Sequence, residues 1–307
     1  MTTPEPSLKS ARFATRQRIR WLVGAAFCLP LIGGLLGLTV FPVAMSFFFS
    51  LTDYPIFSPP QWVGGSNYSE LAHDPRFWLS LWNTAFYAML AVPFGMLIGL
   101  ALALLLNMKI RGMAFYRTMF FLPTIVPVVA SAVIWNQILS AQNGLLNELL
   151  RALGMPEAWV PGWLTDENWS KPGLVIMSLW GAGGGMVMYL AALQDVPKEL
   201  LESAELDGAN AWHRFRHITL PMISPILMFT SVMGLIGAMQ YFSQAFIMTG
   251  GGPWDSTLFY SLNLFNTAFA EYRLGYASAM AWIMFAIILG LTFVVMKMSN
   301  RFVYYHQ

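Results

Sequence analysis

Six long stretches of this chain carry no Asp, Glu, Lys, Arg or His in their interiors, and that property narrows what the chain can fold into. They run over about 21–49, 81–107, 118–139, 172–194, 220–249 and 274–298. Each is close to the ~20 apolar residues that an α-helix needs to cross the hydrocarbon core of a bilayer. Hydrophobic residues make up 57% of the chain and charged residues 10%, against roughly 25% charged in soluble proteins. The expected fold is all-α, a polytopic membrane protein with six transmembrane helices. Pro123 and Pro127 predict kinks in the third stretch, which neighbouring helices can tolerate.

Six crossings put both termini on one side, and the basic residues choose the side. Of the 17 Lys and Arg, all but Arg76, Arg151, Lys171 and Arg273 fall on the side of the termini. The positive-inside rule therefore predicts cytoplasmic termini in a multi-pass membrane protein. The chain divides into an N-terminal tail (1–20), a first transmembrane helix with its outer loop (21–80), a five-helix core (81–298) and a C-terminal tail (299–307). The outer loop is turn-rich, with Pro55, Pro59, Pro60, Gly64 and Gly65. Trp21, Trp78, Trp82 and Trp254 near span ends fit interfacial belts. The basic start resembles a signal-peptide n-region, but the apolar run behind it is too long for an h-region, so an uncleaved first span is expected. The single cysteine, Cys28, excludes an intramolecular disulfide.

Ion-free span interiors limit the chemistry. Proton-coupled carriers use an ionisable residue inside the membrane, and an anionic solute needs a buried cation, so a neutral solute fits better. The uncharged polar residues in the spans, among them Asn83, Ser131, Tyr189, Tyr241 and Gln244, must face other helices or a wet cavity. Gly234, Gly237, Ala238 and Tyr241 recur at helical spacing and share one face. That face either admits a neighbouring helix, the plainer expectation, or leaves room for a solute. A sugar would meet Tyr241 and Gln244 there, since hydroxyl-rich solutes are held by amide hydrogen bonds and an aromatic face. Gly181, Gly183, Gly184 and Gly185 are not a phosphate loop, because no lysine follows and no strand precedes. Close helix approach or a locally opened helix explains them, and Gly181 and Gly184 join Gly234, Ala238, Tyr241 and Gln244 as candidate path residues. No metal cluster, nucleophile–base pair or nucleic-acid motif is evident. His213 and His217, four apart, read as a solvated basic face.

Between the fourth and fifth spans lies a charged island, 195–225. Asp195 is a candidate helix cap before Pro197, and 198–206 holds good helix formers. Gly208 is placed to end that helix in a left-handed turn, and Asn210 to cap a second helix. The first helix carries Glu199, Glu202, Glu205 and Asp207 against Lys198. A helix lying on anionic lipid normally carries the opposite charge, so a basic pocket on a partner protein is the better match.

The motif E-S-A-E-L-D-G-A, followed by Phe215, Ile218, Leu220, Pro221 and Pro225, resembles the E-A-A signature of bacterial binding-protein-dependent ABC importer permeases. Glu202, Ala204, Asp207, Gly208 and Ala209 match its first part, and Ser203 departs from it but stays small. Two further stretches, Arg117-Thr118 with F-F-L-P ending at Pro123 and M-T-G-G-G-P ending at Pro253, resemble the carbohydrate-uptake branch. The resemblance spans about 83–298. It implies a type I importer fold in a non-catalytic transport subunit that pairs with a second homologous permease. It implies two cytoplasmic ATPase subunits that bind ATP and Mg, leaving no cofactor in this chain, and an extracytoplasmic solute-binding protein. It also implies that the island, at about 195–218, docks on an ATPase as coupling helices. The ending of the fifth span in G-G-P points to a heteromeric pair. A self-contained facilitator or ion-coupled carrier for a neutral solute is the alternative.

Overall fold

The computed structural model describes residues 8–108 and 110–299; the first seven residues and nearly all of the C-terminal tail lie outside that range. Helix α1 (Leu8–Leu35) passes through one widened π turn, Leu36–Val40, into α2 (Phe41–Ser50). A second π turn, Phe215–Thr219, precedes Leu220. Both have one cause. Pro42 and Pro221 lack an N–H, and their rings clash with the carbonyl four residues back, so the helix widens there to relieve the clash.

After α2 come a short antiparallel pair, β1 (Thr52–Asp53) and β2 (Gln61–Trp62), and then α3 (Ser66–His73). Helix α4 (Pro75–Leu106) starts six residues before the expected span. Asp74 caps it by accepting from the Arg76 N–H at 2.8 Å, and Pro75 takes the first helical position. The third expected span is not one straight crossing. Helix α5 (Met113–Phe121) continues as a 3-10 turn to Ile125, and α6 (Val128–Ile138) leaves at 99°. Pro127 forces Val126 into extended backbone, which ends the first helix.

Helix α7 (Leu145–Ala152) lies in the loop between α6 and α8. Buried Asn147 organises that loop, donating to the Ala141 and Pro161 carbonyls and accepting from Trp163 Nε1 at 2.7 Å. Helix α8 (Glu167–Trp180) is capped by Asp166 and bends by 46° at Gly181–Ala182 into α9 (Gly183–Gln194). The island forms α10 (Lys198–Leu206), α11 (Ala211–Arg214) and α12 (Leu220–Met222), which runs on into α13 (Ser224–Met239), α14 (Ser243–Met248), α15 (Tyr260–Phe269) and α16 (Leu274–Ser299). Four of these helical runs are long and apolar enough to cross a membrane, and six if each bent pair is one crossing.

Helix α4 is the hub. It meets α8, α9, α13 and α15, while α16 meets α2, α13 and α15. Three apolar clusters fill the bundle. One surrounds Tyr87, Tyr241 and Phe259, one at the island end joins Ala103, Met186 and Ile223, and one joins Leu71, Phe77, Tyr260 and Met280. The four span-four glycines separate by role. A Cβ on Gly183 would run into the Phe120 carbonyl, whereas one on Gly184 would meet only Thr124 Cγ2, at 3.7 Å. Gly183 is therefore where α9 crosses the end of α5. Gly183→Ala is expected to cost about 1–3 kcal/mol through overpacking, lowering the thermal unfolding midpoint in detergent. Gly184→Ala should leave it unchanged, and equal midpoints would contradict this assignment.

Candidate functional site

The three helix breaks meet at one place. A cavity of about 310 Å³ is lined by Pro123 and Thr124 from the first break, Gly181 and Gly184 from the second, and Tyr241 and Gln244 from the third, with Ser131, Ser178 and Trp180. It adjoins a cavity of about 410 Å³ between α4, α9 and α13, and both are lined by Ser178, Gly181 and Tyr241. Gly234, Gly237 and Ala238 line this larger space beside Gly95 and Gly185. All six candidate path residues thus face one of the two cavities. The face of α13 expected mainly to admit another helix borders open space over most of its length, although Gly234 also lies close to Val92.

No Asp, Glu, Lys, Arg or His lines either cavity. Their polar side-chain groups are hydroxyls, the Gln244 amide and the Trp180 indole. Tyr241 stacks on Tyr87 with ring centroids 4.2 Å apart and meets Phe259 edge-on at 5.2 Å. Its hydroxyl is buried without a hydrogen-bond partner, the neighbouring Tyr87 hydroxyl not completing a well-formed bond. Tyr189 bonds Thr230 at 2.8 Å across α9 and α13. Tyr189 thus faces another helix and a cavity, as expected of a polar residue within a span, whereas Tyr87 and Thr230 were not among the sequence candidates. An intramembrane hydroxyl on α4 facing those of α13 was the available signal.

The end of the bundle away from the island is closed by a tie through Asn83, which the sequence placed against other helices or a wet cavity without naming its partners. Asn83 on α4 is fully buried and donates to the carbonyls of Asp255 at 2.8 Å and Leu258 at 3.2 Å. Its amide oxygen accepts from Lys171 Nζ at 3.0 Å, and that ammonium also lies over the Phe86 ring. Lys171 was expected in the loop before the fourth span. Asp166 starts α8 at Glu167, so Lys171 falls inside the helix and half-buried, yet outside both cavities. Ser170 bonds Ser256 at 2.8 Å, fixing the same turn to α8.

On the island, Gly208 has φ +84° and the two bonds Ala209 N–H to Ala204 and Gly208 N–H to Glu205 complete a Schellman ending. Asn210 caps α11 through the His213 N–H at 2.9 Å. Asp195 does not cap α10. It closes the end of α9 instead, and α10 starts after Pro197 with no side-chain cap. Glu205 pairs with Arg214, joining the two island helices. The motif residues fall into two groups. Glu202, Ser203, Asp207 and Gly208 are exposed, whereas Ala204, Ala209, Phe215, Ile218, Leu220, Pro221 and Pro225 are half-buried. Ile218 and Leu220 reach the apolar cluster of α4 and α9. Leu206, 90% exposed, and Trp212, 63% exposed, are uncovered apolar groups on the island that the motif did not flag. A Trp inside a charged island was the signal for the second.

Broken membrane helices around an uncharged cavity, with a helical island projecting from one end, define the transmembrane subunit of a transporter. The chain belongs to the family of binding-protein-dependent transport system inner membrane components, whose model matches residues 91–303. It is 40% identical over 290 residues to the probable ABC transporter permease YesP of Bacillus subtilis, covering 93% of each chain. It is 35% identical over 235 residues to the lactose transport permease LacF of Rhizobium radiobacter, covering 75% of this chain and 78% of that one. Its fold matches a chain of a bacterial ABC transporter involved in alginate import with a TM-score of 0.77 at 23% identity, covering 95% and 100%. The chain is therefore a non-catalytic ABC permease subunit with the type I importer fold.

Asn83→Ala strips two carbonyls and an ammonium of their shared partner. It is expected to cost about 1–3 kcal/mol, read as a lower unfolding midpoint of the purified protein. An unchanged midpoint would show that this tie is dispensable.

Proposed function

We propose that this permease forms half of the translocation path of an ATP-driven importer for a neutral sugar or oligosaccharide, and that its island docks on an ATPase subunit. The carrying observation is the pair of adjoining cavities, uncharged and lined by hydroxyls, an amide and stacked tyrosines, where three broken helices meet. Tyr241 and Gln244 offer an aromatic face and an amide to a polyol, while Gly181, Gly184, Gly234 and Ala238 leave room for it. Relatives named for lactose and for trehalose/maltose support the solute class. Lys171 is engaged by Asn83 away from the cavities, so no counter-charge faces the path.

The excess of Lys and Arg on the island's side supports cytoplasmic termini, with six crossings when each bent pair counts once. The docking segment is Glu202–Ala209, whose acidic and small exposed residues suit a basic cleft on the ATPase. Phe215 to Pro225 link it to α13. A second, distinct permease supplies the other half of the path, two ATPase subunits bind ATP and Mg, and a solute-binding protein delivers from the outer face. One solved relative is described with a solute-loaded periplasmic protein in complex.

Two substitutions test the two halves of this reading in the reconstituted transporter. Glu202→Arg is expected to abolish solute-stimulated ATP hydrolysis and uptake while the protein still reaches the membrane; normal stimulation would refute docking through this segment. Tyr241→Phe removes a hydroxyl that no protein group partners. It is expected to raise the unfolding midpoint, because the cost of the unpaired hydroxyl is removed, and to raise KM for a neutral sugar several-fold, the equivalent of about 1 kcal/mol. Unchanged KM, or preference for a phosphorylated sugar, would overturn the assigned path.

A further inference from the structure

We propose that a groove between α5 and α9 holds the phosphate headgroup and one acyl chain of an anionic phospholipid, in the leaflet on the island's side. The groove has a volume of about 440 Å³. Arg117, Thr118 and Gln194 form one end of it, and Phe121, Val187 and Leu190 the rest.

Its polarity is graded along the helix axes. Helix α4 ends at Leu106 and α9 at Gln194, and the island follows directly, so this end of the groove lies at the boundary of the apolar bundle. Moving inward, Arg117 gives way to Phe121 one turn later on α5, and Gln194 gives way to Leu190 and Val187 on α9. Residues 187, 190, 191 and 194 share one helix face. A polar end that becomes apolar toward the bilayer centre matches an amphiphile's headgroup and chain. The side chain of a protein partner's carboxylate would need only the polar end.

The charge at the polar end is incompletely used. Arg117 Nη2 donates to the Leu106 carbonyl at 3.1 Å, which caps α4. Its Nε is buried without a partner, and Arg117 makes no ion pair among the described residues. A guanidinium is suited to phosphate oxygens, which neutralise the charge and accept from its fork. The α5 N-terminus at Met113 adds partial positive charge one turn away. Basic pockets between helices at the membrane surface are recognised sites for anionic headgroups. This inference does not depend on which solute the cavities take.

The test uses the full chain, purified in mild detergent with the subunits it assembles with. Native mass spectrometry then counts bound dioleoylphosphatidylglycerol against dioleoylphosphatidylcholine. Wild type is expected to retain the anionic lipid preferentially. Arg117→Gln should reduce that retention about tenfold, and Arg117→Lys should keep most of it. Ala191→Trp fills the groove while leaving Arg117 and its bond to Leu106 in place, so it should also release the lipid with the unfolding midpoint preserved. Equal retention of the two lipids would overturn the proposal, as would displacement by millimolar inorganic phosphate, which would assign a free-anion site. Unchanged retention in Ala191→Trp would do so too. A cysteine at Val187 that cross-links to another subunit in the assembled transporter would show the groove to be a protein contact instead.

Discussion

A polypeptide inside hydrocarbon cannot leave its backbone polar groups without partners, and irregular backbone at that depth survives only where it lines a cavity or is buried in protein. This chain interrupts its helices at 122–127, 181–182 and 240–242. The three interruptions meet around one space. Each break is locally repaired, as when Thr124 Oγ1 donates to the Phe121 carbonyl at 2.7 Å and the Tyr241 N–H reaches the Ala238 carbonyl at 3.3 Å. A single break could be a tolerated defect. Three in contact make the interruption of helices the means by which the bundle opens an interior. The remaining architecture, with α4 as hub and close crossings such as Gly183 against Phe120, keeps the rest of the wall tight around that opening.

The island and the cavity share a helix. From Phe215 the chain stays helical through the π turn, α12 and α13 apart from one turn residue, Ile223, and it next breaks at Gln240–Phe242, beside Tyr241. At about 1.5 Å per residue this run spans most of the bilayer. Its lower end is clamped by Ile218, Leu220 and Ile223 against α4 and α9, and its upper end carries Gly234, Ala238 and Tyr241 into the cavity wall. On the docking proposed above, a continuous helix with one end at the ATPase and the other at the cavity would be a mechanical connection. The π turn and Pro221 place its softest point next to the island.

The sequence was most legible where one residue type answers one local need. Gly208 ends α10 because a left-handed residue is required there, and Asn210 caps α11 because its side chain can accept from the backbone. The Asp195 expectation failed for a related reason. Pro197 set the start of α10, which placed Asp195 at the end of the preceding helix. Long apolar runs located the spans, but their ends were decided by Asp74 and Asp166, which extend α4 and α8 into stretches that look like loop. That extension put Lys171 inside a helix. The break at 122–127 was legible in Pro123 and Pro127, and an opened helix was one reading of the span-four glycines; the break at 240–242 carried no such signal, and only tertiary contact shows that the three are neighbours. The glycines of span four look alike in sequence. The carbonyl of Phe120 is what makes Gly183 a crossing point and leaves Gly181 and Gly184 at a cavity.

A buried hydroxyl without a partner is a standing cost of about 1–3 kcal/mol. In most interiors such a group is paired, replaced by Phe, or bonded to ordered water. Tyr241 is 7% exposed, its ring is held by Tyr87 and Phe259, and it sits where a helix has been opened. The ring contacts fix where the hydroxyl oxygen lies, because rotation about the long axis of the ring leaves that oxygen in place. The larger cavity gives that hydroxyl room beside it for a group that moves. On the proposed path, a solute hydroxyl arriving there would recover the cost, and its departure would restore it. Binding of this kind would be specific without being tight, which suits a path that must release what it admits.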